Sequence, residues 1–318
     1  MVSFKSALAC LTSPLLFTAF ADARSGIPTK AALSAPRSFK PQVLGKVAST
    51  KESRNLRGGA AVDLDPETIV KASIILLGTQ GLLQLEAPRP ICRLYGCCDQ
   101  LNNESTQLLC KFAGIYLASF AIMSTCMIFA KTTLPTAVLA ANAFATYCHF
   151  GVILNGEDSK GNLGRFTSVS ALLIHMFTSF AMTLGDKFAN TIIKIMACLW
   201  PIDGVLSVLV PDFCAKIWLF KKPKLDDLDK MLFRLVGGSM ISYVIFSGSM
   251  SFFDMNPIKA FGISMLGPVL FLAIGLFVVG DFRKLGVPQG PMWAWLLVSI
   301  ASIIATWADG MNVGSSMN

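Results

Sequence analysis

Charge is what this 318-residue sequence has least of. Only 14% of its residues are Asp, Glu, Lys or Arg, against about 25% in a soluble domain, so the inventory cannot clothe a water-facing surface. Histidine is nearly missing, with two residues, and tyrosine is scarcely commoner, with four. No Walker loop, H-E-x-x-H, nucleophile elbow or Rossmann glycine pattern occurs, which leaves no motif specific for catalysis. The sequence therefore reads against an enzyme, and no catalytic residue, metal or cofactor is assigned.

Basic clusters on a folded body are scarce too. The formal charge is +8, but residues 1–60 carry nine Lys/Arg against Asp22 and Glu52, leaving the rest of the chain close to neutral. The densest group, Lys221-Lys222-Pro223-Lys224, is followed at once by Asp226, Asp227 and Asp229. A nucleic-acid footprint needs more than this, so nucleic acid is excluded as a partner. Of nine cysteines, Cys92, Cys97 and Cys98 cluster without the paired C-x-x-C of a zinc ribbon, and Cys10 lies in the leader.

What is present is apolar sequence: 53% hydrophobic residues and a mean hydropathy of +0.60. Stretches near 20 residues fall at about 68–87, 108–130, 134–154, 166–185, 191–211, 231–253, 258–280 and 291–309. The expected fold is an all-α integral membrane protein of about eight transmembrane helices, with the lipid bilayer as its first partner. Gln80, Gln84, Glu86 and Lys71 make the first stretch the most amphipathic.

A shift of 123 residues aligns 68–137 with 191–260 without a gap and gives 15 identities in 70 positions, among them Lys71/Lys194, Gly81/Gly204 and Gly114/Gly237. Roughly five would arise by chance in so biased a composition. Lys111 falls on Arg234, and a further one-residue slip sets Glu157 opposite Asp281. The chain reads as a 4+4 tandem repeat with four segments: a signal peptide at 1–19, a basic presequence at 20–60, and four-helix halves at 61–187 and 188–318. Four spans per half predict parallel repeats about an axis along the membrane normal. Lys and Arg concentrate after spans one, three, five and seven, which places those loops in the cytosol or stroma.

Lys5, the apolar run Ala7–Ala19 and the small residues after it have the layout of a signal peptide, and the acid-poor, Ser-containing stretch Arg24–Gly59 that of a transit peptide. Thr18-Ala19-Phe20-Ala21 resembles the signal-peptide junction of bipartite presequences in algae with secondary plastids. The resemblance implies a plastid membrane, thylakoid or envelope; a secretory-pathway membrane is the alternative. Each half also resembles the DoxX-like four-helix membrane proteins. The shared features are Pro88 and Pro211 closing the first helix, a following Tyr95 or Trp218, and Lys111-x-x-Gly114 or Arg234-x-x-Gly237 opening the second. That group implies a four-helix fold and no settled chemistry.

Ionisable groups inside a bilayer are costly and mark function by default. Asp203 lies within the fifth stretch between Pro201 and Gly204, where a proline kink would expose a carbonyl. Gln80-Gly81 stands at the same place in the first half. The expectation is a crevice between the halves in which Asp203, Gln80 and His175 bind a small solute or ion. His149 and His175 have no counterparts, since Ala273 and Ser299 replace them, so each reads first as a packed, hydrogen-bonded histidine. Lys71, Lys194, Lys111 and Arg234 read as interface anchors, and Glu157, Asp158 and Asp281 as solvated loop acids. The alternative function is a structural subunit of a larger plastid membrane complex, docking through Gly237-Gly238-Ser239 and Ser247-Gly248-Ser249.

Overall fold

A computed structural model of the chain describes residues 65–89, 103–221 and 224–312. The signal and transit segments, Tyr95, the Cys92/Cys97/Cys98 cluster and Lys222 lie outside the described residues. Within them the secondary structure is helical, without strands. The helices are α1 (Pro66–Glu86), α2 (Glu104–Ile128), α3 (Leu134–Leu154), α4 (Glu157–Lys160), α5 (Arg165–Ala181) and α6 (Asp186–Leu209). They continue with α7 (Pro211–Ile217), α8 (Asp227–Phe253), α9 (Pro257–Ser264), α10 (Leu266–Ala273), a π-helical turn at Ile274–Val278, α11 (Asp281–Lys284) and α12 (Gln289–Asn312).

The starts of these helices are written locally. Asp65 accepts the Thr68 amide at 3.2 Å ahead of Pro66 at the first helical position. Asn103 accepts the Ser105 amide at 3.1 Å and caps α2. Asp226 and Asp229 form a reciprocal capping box on α8.

Among the described residues seven helices are long and apolar enough to cross a membrane, with α9, α10 and the π turn together forming one of them. The chain is an integral membrane protein. Their surfaces agree: α5, α6 and α12 expose Phe166, Phe177, Phe180, Leu199, Ile202, Leu297 and Trp307, side chains that water would not tolerate in such numbers. The fourth stretch is shorter than its hydropathy implied. α5 has 17 residues because Thr183 turns its hydroxyl back onto the Phe180 carbonyl and Gly185, at φ 107°, reverses the chain into α6.

At the centre α2 and α8 pack on one another, both with most of their surface buried. Thr106 donates to Asp229 at 2.7 Å between them. α1 crosses α2, and α6 crosses α8, through glycines. A Cβ on Gly114 would lie 2.6 Å from the Gly81 carbonyl oxygen, and one on Gly237 would meet the Gly204 carbonyl as closely. Gly238 lies against Gly267 and Phe271, and Gly248 against Ala197. The Gly/Ser faces expected to receive another subunit are thus occupied within the chain.

The loop acids are not solvated as expected. α4 and α11, each entered through a left-handed glycine (Gly156 and Gly280), turn their first residues inward, and Asp158 and Asp281 are buried. Asp281 pairs with Arg234, whose Nε also donates to the Val208 carbonyl at 3.1 Å. Lys111 pairs with Glu157 at 2.6 Å. Arg234 is therefore a buried partner and not a snorkelling anchor, because α11 brings a carboxylate to it. Burial pushes the Asp281 carboxyl above the usual carboxylate range, and Arg234 pulls it back. Lys71 pairs with Glu67 at 2.6 Å and lies 5.6 Å from the Phe129 ring, while Lys194 lies 5.5 Å from the Phe252 ring.

Candidate functional site

The site is built where the first histidine-bearing helices meet α6. α2 supplies Phe112 and Tyr116, α3 His149, α5 Thr167, Ser168 and His175, and α6 Trp200 and Asp203; Trp218, just after α7, completes the wall. Together they line a cavity of about 180 Å³. Residues from both 61–187 and 188–318 are needed to close it.

Among the described residues Asp203 is the one formally charged residue lining the cavity. Its Oδ1 accepts from Trp218 Nε1 at 3.1 Å and from Cys214 Sγ at 3.3 Å. Ser207 Oγ lies 3.0 Å from the same sulfur. Burial, reinforced by the Asp203 charge, pushes the Cys214 thiol up to about 12. Asp203 is six residues from the end of α6, roughly 9 Å along the axis, and about as far from the helix midpoint, in the half of α6 toward the α4/α11 end of the bundle. α6 runs from 186 to 209, starting five residues earlier than hydropathy alone placed it.

The two histidines face one another at a ring-centroid distance of 5.0 Å. Phe112 stacks on His149 at 5.4 Å, and Trp200 meets His175 edge-on at 5.4 Å. His149 Nδ1 lies 2.8 Å from the Ala145 carbonyl, an acceptor only, so this nitrogen carries the proton. Asn142 donates its amide to Val138 O and Tyr243 Oη at 2.9 and 2.8 Å, so its oxygen accepts from His175 Nδ1 at 2.8 Å. With both Nδ1 atoms protonated by this assignment, each Nε2 presents a lone pair. Ser168 is buried and its hydroxyl has no hydrogen-bond partner among the described residues.

By helix rise these polar groups form a file. His149 lies roughly 8 Å from the α4 end of its helix, His175 roughly 15 Å in, Asn142 roughly 18 Å and Tyr243 roughly 24 Å. Among the described residues no three His, Cys, Asp or Glu side chains are grouped to hold a metal ion.

Of the expected site residues, Asp203 and His175 are brought together, with Pro201 and Gly204 shaping α6 beside them and Gly204 seated on Gly237 and Ile241. Gln80 is elsewhere. It lines a smaller cavity of about 80 Å³ with Gln84, Leu77, Leu235, Ser239 and Trp295, and Gly81 packs against Ala118 beside it. Positions related by the 123-residue shift fall on opposite sides of the α2–α8 pair, so one crevice cannot hold both. His149, Tyr116, Trp200 and Trp218 join the wall beyond the expected site residues; for His149 the absence of both histidines from the second half is the signal in the sequence.

No family model matches this chain, and neither a curated protein nor a solved structure matches it.

Proposed function

We propose that the chain is a carrier for a small solute or ion, built as eight spans in two parallel four-helix halves and resident in a plastid membrane. The observation that carries the reading is the cavity itself: Asp203, His149 and His175 converge there between walls drawn from both halves. A carboxylate and two imidazoles buried among membrane-spanning helices are costly to place there and so are candidates for holding a ligand or relaying a proton.

Several pairs support the duplicated architecture. Lys111–Glu157 recurs as Arg234–Asp281, Lys71 over Phe129 as Lys194 over Phe252, and Gly81 against Gly114 as Gly204 against Gly237. α5 stands at the place of the fourth span; at roughly 26 Å it is a little shorter than the hydrocarbon core. The leader supports the plastid address. Packing of Gly237, Gly238 and Gly248 within the chain favours the carrier over a structural subunit docking through those faces.

The test is flux in proteoliposomes against a panel of small cations, anions and neutral solutes. Asp203→Asn should abolish transport of the accepted solute while helicity and gel-filtration volume stay unchanged. Absence of flux for every solute, with co-migration of the native chain in a defined large complex, would overturn the carrier in favour of a subunit. Recovery of the native chain with the endoplasmic reticulum would remove the plastid assignment.

A further inference from the structure

The chemistry of this cavity is narrow enough to name its ligand class. We propose that it recognises a small protonated amine, from ammonium to a methylated ammonium; the inference rests on the carrier reading of the same site.

Four features of the wall favour such a cation. Among the described residues Asp203 supplies the single formal charge on the lining and no Lys or Arg lines the cavity, so anions are repelled. Phe112, Tyr116, Trp200 and Trp218 supply aromatic surface, whose negative faces attract weakly hydrated cations. His149 and His175 offer Nε2 lone pairs that suit N–H donors. Ser168 contributes a buried hydroxyl still without a partner. A neutral apolar molecule would leave these acceptors unpaired and the Asp203 carboxylate without a counter-charge, a cost that a cationic N–H donor removes.

Alkali ions fit poorly. They take dense oxygen shells, whereas here Asp203, Tyr116 and the hydroxyls of Thr167, Ser168 and Ser170 share the wall with aromatic carbon and imidazole nitrogen. Size sets the upper limit: an apolar cavity of about 150 Å³ accepts benzene, so about 180 Å³ holds a ligand of a handful of heavy atoms.

The second cavity is an internal control. In the repeat alignment Gln80 stands for Asp203, Leu77 for Trp200, Leu235 for Phe112 and Ser239 for Tyr116, and all four line that cavity. Ala273 and Ser299 replace the histidines. The halves share helix positions and ion pairs, and their difference is concentrated in the groups that would hold a cation.

The experiment is a titration of tryptophan fluorescence of the full chain in mild detergent with methylammonium chloride, matched in ionic strength by potassium and sodium chloride. A saturable change specific to methylammonium is expected, weakened at least tenfold by Asp203→Asn, restored in part by Asp203→Glu and untouched by Gln80→Ala. Should Asp203→Asn misfold by circular dichroism, His175→Gln takes its place, with the same weakening expected. An equal response to potassium, no saturable response, or full affinity in a folded Asp203→Asn or His175→Gln variant would overturn the proposal. Proteoliposomes separate the two readings: amine binding without flux of any solute keeps the site and removes the carrier, whereas flux of another solute without amine binding keeps the carrier and removes the amine.

Discussion

A buried ion pair stabilises little by itself, but losing one partner is expensive, and Arg234–Asp281 is the case in point. Arg234→Met strands the Asp281 carboxylate among buried neighbours and should cost about 3–5 kcal/mol. Replacing both, with Arg234→Met and Asp281→Leu, should recover most of that loss. The pH dependence has a definite sign. Burial already holds the folded Asp281 pKa above its ordinary value, and removing Arg234 raises it further. A carboxyl whose pKa is higher folded than unfolded favours the fold at low pH and loses that contribution as pH rises through the folded value. The Arg234→Met protein should therefore gain in thermal midpoint on acidification from neutral pH, and the double variant should not. Equal midpoints for the single variant and the parent at neutral pH would sink the argument. Cys214 gives a second residue-level expectation. With its thiol pushed up to about 12 by burial, roughly one molecule in ten thousand is thiolate at pH 8. Maleimide should label it slowly in mild detergent and quickly once the chain is unfolded, in a protein whose other cysteines are serine; rapid labelling of the folded protein would contradict its burial.

Between elements, the decisive contacts are backbone against backbone. Gly114→Ala and Gly237→Ala each push a methyl onto a facing carbonyl that side-chain rotation cannot move aside, so each should destabilise by about 1–3 kcal/mol. Gly151→Ala in α3 meets nothing within 4 Å and should stabilise by up to about 1 kcal/mol through helix propensity. Thermal unfolding of the three variants checks the contrast; destabilisation by Gly151→Ala equal to the others would remove it. Most element positions were legible because a 20-residue apolar run, a capping Asp or Asn and a Pro at the first turn are local signals, as at Asp65-Pro66 and Asn103. The fate of Asp158 and Asp281 was not. Their neighbours are Lys, Arg and Gly, the composition of a solvated loop, and only the fold shows that α4 and α11 turn back against α2 and α8. The recurrence of Lys111 with Glu157 as Arg234 with Asp281 was the trace of it, and spacing alone does not say that such residues touch.

Across the molecule, α2 and α8 form a shared spine, and each cavity borrows a wall from the other half: α6 joins α2, α3 and α5, while α1 joins α8, α10 and α12. Asp203 and His175 could be found in the sequence because polar groups in apolar runs stand out. Tyr116 and Trp200 could not, since an aromatic at helical spacing looks the same in a core as in a binding wall, and adjacency of α3, α5 and α6 is a tertiary fact. The borrowed walls carry the last prediction. If residues 61–187 and 188–318 were self-sufficient domains, either would fold without the other. The spine instead buries Leu109, Phe112, Phe233 and Val236 in one continuous cluster, and exposing that surface to lipid forfeits close packing and leaves Thr106 and Asp229 without their mutual hydrogen bond. Expressed alone in membranes, each half should extract as a polydisperse species without a cooperative thermal transition. Co-expressed, the two should purify together at a fixed ratio and recover the midpoint of the intact chain. A single half unfolding cooperatively at that same midpoint would show that the spine is dispensable and that the cavities form within, not between, the halves.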